Sequence, residues 1–361
     1  MMEWKQVKLG DVLTIKYGKD HKHLADGSVP VYGSGGVMRY VDTHIYDSPS
    51  ILIPRKGSLN NIFYVDKPFW TVDTMFWSII DTDIVAPYFL YCAICKYDFA
   101  GLNVGSAVPS LTVPVIEAID LSLPPLPTQH RIAAILSSLD AQIENNNRIN
   151  RNLEAQAQAL FKSWFVDFEP WGGVMPEGWK EGKLGEIAQI IMGQSPDGKT
   201  LNSNGNGTIF YQGSADFGFR FPSVRIFSTN PTRYAEQNSV LMSVRAPVGD
   251  VNVALTTCAI GRGLCSIKAL GDYQSFILYL VKSLKPQFDS FNGEGSVFGS
   301  INRKSLEEMP IIYPSNDVVM EYERKVAPID AQIRNNTEAN ARLASLRDTL
   351  LPKLMKGEIE V

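Results

Sequence analysis

The sequence is poor in cysteine, in long apolar runs and in excess positive charge. Its 361 residues include 4 cysteines, and 34 Lys and Arg residues are balanced by 38 Asp and Glu residues. Four cysteines are too few for a disulfide framework and fit a reducing compartment. No stretch approaches the roughly 18 apolar residues of a membrane helix, and the first residues lack the apolar core of a secretory signal. We therefore expect a cytoplasmic protein with no membrane partner, and we exclude a uniformly basic nucleic-acid coat.

What the sequence does contain is an internal repeat. Residues 105–165 align with residues 295–355 without a gap at an offset of 190, so that GSAVPSL corresponds to GSVFGSI and DAQIENN to DAQIRNN. The starts of the two copies, around Trp4 and Trp179, match at an offset of 175. The second copy therefore contains 15 extra residues between about 188 and 295. A repeat of this length indicates two globular units, each followed by the same long segment.

The repeated segment predicts a long helix. Residues 128–164 contain no Gly and no Pro, and mostly apolar residues follow the a and d positions of a heptad pattern for about five heptads in each copy. The two helices could pack on their own globular units or on each other. An apolar stripe narrower than the face of an ordinary globular helix favours packing on each other.

Four asparagines interrupt this apolar stripe. If the helices are antiparallel, residue i of the first faces residue 486 minus i of the second, which places Asn146 opposite Asn340 and Asn150 opposite Asn336. A buried Asn pair weakens a coiled coil but penalises slipped registers, in which Asn would face Leu or Ile. The four asparagines are therefore predicted to fix the register and, with it, the separation of the two globular units.

The remaining sequence is typical of α+β domains. Segments rich in β-branched and aromatic residues alternate with Gly, Pro, Asn and Asp, which predicts strands joined by substantial loops. Short helices are expected near residues 87–98 and 272–284. The predicted fold is therefore two strand-rich globular domains and two long helices that form an antiparallel coiled coil with pseudo-twofold symmetry. The predicted divisions are 1–126, 127–166, 167–314 and 315–361.

Two short motifs suggest chemistry but lack the context that such chemistry needs. Residues 193–200, GQSPDGKT, match the phosphate-binding pattern GxxxxGK[ST], but the following LNSNGNGT cannot form the helix that would bind the phosphates. Cys92 and Cys95 form a CxxC motif without a second pair or histidines at ligand spacing, so buried packing is the better interpretation. We predict no catalytic residue and no metal site.

The helices and the C-terminus resemble a known family. PPLPTQHRIAAILSSLDAQIENNNRINRNLEAQAQALFKSWFVDFEP at residues 124–170, GSAVPSLT at 105–112 and LLPKLMKGEIEV at 350–361 are similar to the specificity subunit of type I restriction-modification systems. The resemblance spans the whole chain, since the order of globular unit, helix, globular unit and helix is also that of the family.

This resemblance implies a non-catalytic subunit that recognises DNA. Each globular unit would be a target recognition domain that binds one half of a bipartite site in double-stranded DNA. The coiled coil would set the spacing and bind two DNA adenine methyltransferase (modification) subunits, and restriction and translocase subunits could join them. The chain itself would need no cofactor, whereas S-adenosylmethionine, ATP and Mg²⁺ are expected in the partner subunits.

The loops supply candidate DNA contacts, although no domain is basic overall: residues 1–126 contain 10 basic and 13 acidic side chains. Arginine suits guanine in the major groove, and Asn, Gln, Ser and Lys contact base edges or phosphates. The candidates are Arg39, Arg55, Lys56, Asn60, Asn61, Gln194, Ser195, Gln212, Ser214, Arg220, Arg225, Arg245 and Arg262.

Two other functions remain open on the sequence alone. The acidic balance permits a coiled-coil adaptor that binds proteins without DNA specificity of its own. A nucleotide-binding enzyme would rest on residues 193–200, and the missing helix counts against it.

Overall fold

A computed structural model describes residues 4–105, 108–292 and 299–361. Parts of the repeated GSAVPSL and GSVFGSI motifs lie outside the described residues. The chain forms two compact units: unit 1 combines Met1–Glu144 with Asn340–Val361, and unit 2 is Asn145–Ala339. Each unit therefore includes part of both long helices. The divisions at residues 126, 166 and 314 stay predictions.

Unit 1 consists of two sheets, a strand pair and short helices. The strands are β1 (Lys5–Lys8), β2 (Leu13–Tyr17), β3 (Asp26–Gly33), β4 (Gly36–Val41), β5 (Ser50–Pro54), β6 (Phe63–Val65), β7 (Trp70–Thr71), β8 (Met75–Ile80) and β9 (Asp120–Leu123), with helices α1 (Pro87–Ile94) and α2 (Val113–Glu117). One sheet has the order β2-β8-β5-β6 and the other β4-β3-β7, while β1 pairs with β9.

The first long helix, α3, runs from Leu126 to Phe165. The prolines before it and in its first turn are tolerated there because the first helical N–H groups have no partner within the helix. Its first half contributes Ile132 and Leu136 to the core of unit 1, where they are buried with Phe89 and Leu354. These contacts explain why an amphipathic helix with little apolar surface is stable over 40 residues.

Unit 2 repeats the plan of unit 1 with additions. Its strands are β10 (Lys180–Lys183), β11 (Ala188–Met192), β12 (Leu201–Asn202), β13 (Thr208–Tyr211), β14 (Ile226–Ser228), β15 (Tyr234–Ala235), β16 (Val240–Ser243), β17 (Val251–Val253), β18 (Cys258–Ile260), β19 (Leu264–Ala269) and β20 (Pro310–Tyr313). The helices are α4 (Leu184–Ile187), α5 (Gln274–Ser283), α6 (Lys285–Asp289), α7 (Arg303–Glu307) and the long α8 (Asn316–Met355).

The sheet order β11-β19-β16-β17 is the counterpart of β2-β8-β5-β6. Ala188 pairs with Ala269 in unit 2 as Leu13 pairs with Ile80 in unit 1. The offset between equivalent residues of the two units is therefore 175 at β11 and 189 at β19. The second sheet of unit 2, β12-β14-β13-β18-β15, has two more strands than its counterpart in unit 1. The extra residues expected from the repeat therefore lie mostly between β11 and β16.

The predicted secondary structure is largely confirmed. The short helices expected near residues 87–98 and 272–284 are α1 and α5, and the segment around residues 50–57 is the fully buried strand β5. The segment 208–219 is a strand only as far as Tyr211 and continues as a loop with a short 3-10 helix. None of the helices in the described part of the chain has the length and apolar character needed to cross a bilayer.

Candidate nucleic-acid interface

Four loops of unit 2 converge beyond the ends of its strands. The Ser195 hydroxyl lies 3.1 Å from the Gln212 side-chain oxygen, and the backbone N–H of Arg262 donates to that hydroxyl at 3.4 Å. The backbone N–H of Gln194 donates to the Ile260 carbonyl at 3.0 Å. Hydrogen bonds of backbone and side-chain groups thus connect four of the residues predicted to contact DNA.

Arg245 joins the same surface through its neighbour Val244, whose N–H donates to the Gly263 carbonyl at 2.9 Å. Arg245, Arg262 and the nearby Arg233 are exposed. Their guanidinium groups have no hydrogen-bond or ion-pair partner within the described residues. Three unpaired arginines and the amides of Gln194 and Gln212 therefore face solvent, and these groups suit phosphates and base edges.

Arg220 is a correction to the predicted set, because it is buried with 3% of its surface exposed. Its guanidinium forms ion pairs with Glu154 of α3, at 2.8 Å, and with Asp330 of α8, and it donates to the Tyr279 hydroxyl at 2.6 Å. Burial lowers the pKa of this guanidinium, but Asp330, Tyr279 and Glu154 outweigh it and hold the pKa above its ordinary value. Arg220 is therefore a structural residue that DNA cannot reach.

The other two unit 2 candidates occupy the loop before β14. Arg225 is exposed, but its guanidinium is paired with the buried carboxylate of Asp216. Ser214 begins the 3-10 helix that contains Asp216 and is half-buried. Both residues are less available for DNA than Arg245 or Arg262.

Unit 1 presents a smaller polar surface around the loop after β5. The guanidinium of Arg55 lies over the Tyr17 ring, 5.6 Å from its centroid, and donates to the Asp73 carbonyl at 3.2 Å. Lys56 follows it, is exposed, and has no side-chain partner in the described residues. The Asn61 amide donates to the Ser34 carbonyl at 2.9 Å and so ties this loop to the hairpin between β3 and β4.

Asn60 and Arg39 contribute mainly to the structure of unit 1. The Asn60 amide donates to Asp98 at 3.2 Å, and its oxygen accepts the Ala100 N–H at 2.9 Å. Arg39 pairs with Asp26 at 2.6 Å and donates to the Leu24 carbonyl. Both side chains therefore stabilise loops of unit 1.

The asparagines of the long helices occupy the interface between α3 and α8. The Asn336 amide donates to the Asn150 side-chain oxygen at 2.8 Å in unit 2. In unit 1 the Asn340 amide donates to the Ile143 carbonyl at 3.4 Å. Asn146 is buried. Their role in fixing the separation of the units stays a prediction.

The two misleading motifs have structural roles. Residues 193–200 end in a three-residue 3-10 helix, Gly198–Thr200, which is capped by Asp197 and followed by strand β12. No α-helix begins at Lys199, so the backbone cannot bind phosphates as a P-loop does. Burial raises the pKa of the Cys92 thiol to about 12, which keeps it protonated. Cys95 follows α1 and is exposed, so the predicted buried packing is confirmed for Cys92 and wrong for Cys95. The described residues contain no cluster able to hold a metal ion.

Sequence reasoning missed two exposed side chains on the unit 1 surface. Lys19 follows β2, and its backbone N–H donates to the Thr71 carbonyl at 2.9 Å. Asp73 lies in the turn between β7 and β8. An alignment of the strand ends of the two repeats, rather than of the helices, could have found both.

Comparison with known proteins identifies the family. The family model for the type I restriction modification DNA specificity domain matches residues 1–155 and again residues 176–341. The chain therefore belongs to this family, with two copies of the domain.

Individual relatives are similar in sequence and fold. The chain is 31% identical over 258 residues to the MjaX type I restriction enzyme specificity subunit of Methanocaldococcus jannaschii, covering 68% of this chain and 60% of that protein. It is 24% identical over 468 aligned positions to the HindI specificity subunit of Haemophilus influenzae, covering 99% of this chain and 100% of that one. Its fold is similar to the crystal structure of a type I restriction-modification S subunit from M. genitalium, with a TM-score of 0.68 at 18% identity over 98% of this chain and 96% of that one.

Proposed function

We propose that this chain is the DNA-recognition subunit of a type I restriction-modification complex, that each unit binds one half of a bipartite site, and that the chain catalyses no reaction itself. The observation that carries the proposal is the exposed surface of unit 2, where Arg245 and Arg262 have no partner in the described part of the chain. An exposed arginine without an acidic partner has a charge that no carboxylate neutralises and donor groups that remain free for DNA. Two copies of a family domain named for DNA specificity support two half-sites.

The long helices would set the gap between the half-sites and bind the partners. Forty helical residues at about 1.5 Å each give a rod of roughly 60 Å, which is long enough to separate two domains along a duplex. The partners would be two DNA adenine methyltransferase subunits, which supply S-adenosylmethionine chemistry. Restriction and translocase subunits that use ATP and Mg²⁺ would complete the complex.

Charge predicts how the chain depends on these partners. Phosphate neutralisation supplies most non-specific affinity for DNA, and a formal net charge of −4 cannot supply it alone. We therefore expect the isolated chain to bind DNA weakly and to gain affinity and specificity with its modification subunits.

Fluorescence anisotropy tests this proposal with a labelled random duplex and a pool of genomic duplexes, measured with the chain alone and with co-expressed modification subunits. Weak binding by the chain and tight, sequence-selective binding by the complex is the expected result. Tight sequence-specific binding by the chain alone at physiological salt would contradict the expected dependence on partners. A complex that binds no DNA would contradict DNA recognition itself and would leave the protein-only adaptor.

A further inference from the structure

The two units place a basic residue at the same point of the repeated fold. In unit 1 the Leu111 N–H donates to the Arg55 carbonyl at 2.9 Å, and the Gly57 N–H donates to the Pro109 carbonyl at 3.2 Å. These two bonds enclose Lys56, which forms a β-bridge with Ser110.

Unit 2 contains the same pair of bonds. The Ile301 N–H donates to the Val244 carbonyl at 3.1 Å, and the Ala246 N–H donates to the Gly299 carbonyl at 2.9 Å. They enclose Arg245, which forms a β-bridge with Ser300. Lys56 and Arg245 are therefore equivalent, and both side chains are exposed without a partner in the described residues.

A second pair of equivalent positions follows β2 in unit 1 and β11 in unit 2, the first strands of the two four-stranded sheets. Gly18 and Gly193 are held by matching N–H bonds to Met75 and Leu264, and a Cβ at either glycine would lie within 2.2 Å of a backbone oxygen. The next residue is Lys19 in unit 1 and Gln194 in unit 2. The two units therefore have the same backbone hydrogen bond at this position but different side chains after it.

At two further positions the backbone is equivalent in the two units but the residue type differs. The turns between β7 and β8 and between β18 and β19 are closed by equivalent bonds, from Met75 to Val72 and from Leu264 to Gly261, both at 3.0 Å. The first residue inside the turn is Asp73 in one unit and Arg262 in the other. The residue after Tyr32 of β3 is Gly33, and the residue after the equivalent Tyr211 of β13 is Gln212.

From this comparison, we infer that Lys56 and Arg245 are a shared phosphate-binding position, and that Lys19/Gln194, Gly33/Gln212 and Asp73/Arg262 are the positions that determine which bases each unit recognises. Two similar domains bound to two half-sites meet the same DNA backbone but different base pairs. Positions that keep their charge in both units therefore suit phosphates, and positions that change chemistry suit base edges. The inference rests on the proposed function.

The side chains fit these assignments. In unit 2, Arg262 can donate two hydrogen bonds to guanine, and Gln194 and Gln212 can bind the adenine edge. In unit 1, Asp73 can accept from the cytosine amino group and Lys19 can donate to guanine. Gly33 has no side chain and Met38 fills the space beside it, so this position supplies no base contact in unit 1. The two units therefore recognise different half-sites.

The test of the shared position uses Lys56→Ala and Arg245→Ala in the full chain assembled with modification subunits. Each variant should lower the slope of log K against log[salt] by about 0.9 on random duplex DNA and leave the recognised sequence unchanged. Lys8→Ala is the charge-matched control, because Lys8 is an exposed lysine of β1 that pairs with Asp120 of β9, outside the long helices and the loop surface. An altered recognition sequence, or a salt slope equal to that of the control, would overturn the shared phosphate position.

The test of the specificity positions uses Arg262→Asp, which gives unit 2 the unit 1 residue. Discrimination at one base pair of one half-site should fall by about 5- to 150-fold, with the other half-site unchanged, as measured by binding selection from randomised duplexes. Thermal unfolding checks that the variant is folded. If the selected sequence is the same as that of the wild type, the assignment of Arg262 is wrong. A wild-type complex that selects no sequence would refute the proposed function before any variant is compared.

Discussion

The arginines of unit 2 have two different roles, structural in the interior and available for contact at the surface. The surroundings of each side chain determine its role. Arg220 is held by Glu154 and Asp330 in the interior, whereas Arg245 and Arg262 face solvent. A second cation, Lys282, also pairs with Glu154. The cluster therefore consists of two cations and two carboxylates, and the loss of one member leaves a buried charge without a counterion.

Substitution of Arg220 should therefore affect folding and not DNA contact. We expect Arg220→Ala to lower the free energy of unfolding by about 3–5 kcal/mol, because Asp330 would lose its cation and Glu154 one of its two. Arg303→Ala, at an exposed pair with Glu307, should cost less than about 1 kcal/mol. Urea denaturation followed by circular dichroism measures both. A stable Arg220→Ala protein with a changed recognition sequence would return Arg220 to the set of DNA contacts.

The sequence shows which residue types are present in a loop but not what each side chain contacts. Gln194 and Ser195, Gln212, and Arg262 come from three separate stretches of the sequence, and the structure brings them together. Arg220 could not be excluded from the sequence, because its partners lie 66 residues before it and 110 residues after it. Long-range partners of this kind follow from tertiary packing and have no local sequence signal.

The long helices were the elements best predicted from the sequence, since a heptad pattern is periodic and local. Both long helices contain a DAQI motif, and the heptad pattern does not show what the aspartate of this motif contacts. In unit 1, Asp140 accepts from the Tyr88 hydroxyl and pairs with Arg347 at 2.6 Å. In unit 2, Asp330 accepts from the Tyr279 hydroxyl at 2.9 Å and pairs with Arg220. Each DAQI aspartate thus joins a long helix to the short helix α1 or α5 of its own unit.

The register of the helices can be tested with engineered cysteines in unit 2. In a Cys95→Ser background, Asn150→Cys with Asn336→Cys should crosslink under mild oxidation, because the two side chains are in hydrogen-bond contact. Asn150→Cys with Ile329→Cys is the matched control, since Ile329 is one heptad, or roughly 10 Å, away along α8. Gel mobility under non-reducing conditions separates the crosslinked form. Preferential crosslinking of the control pair would show that the register is wrong.

The whole chain is built from two units whose cores each require both helices. Unit 1 buries Leu354 and Met355 of α8 with Leu136 of α3, and unit 2 buries Phe161 of α3 with Tyr322 of α8. The repeat pattern orders the globular segments and the helices along the chain but does not show which core covers each part of a helix. Packing decides this, since an amphipathic helix is stabilised mainly by the surfaces that cover its apolar face.

This organisation determines how the two recognition functions can be exchanged. Replacement of residues 1–126 by the corresponding segment of another family member should change one half-site only, and replacement of 167–314 should change only the other. Both exchanges retain α3 and α8 almost entirely, so the gap between the half-sites should stay constant. The graft must preserve the surface that contacts Ile132, Leu136 and Leu354, or unit 1 will lose its core.

Methylome sequencing of cells that carry each chimaera, with the modification subunits, measures both half-sites and the gap together. Folding of the chimaera is checked by its assembly with those subunits. A chimaera with an altered first half-site, an unchanged second half-site and an unchanged gap is the expected result. If one exchange changed both half-sites, each unit would not recognise its sequence independently. If it changed the gap alone, the globular segments rather than the helices would set the spacing.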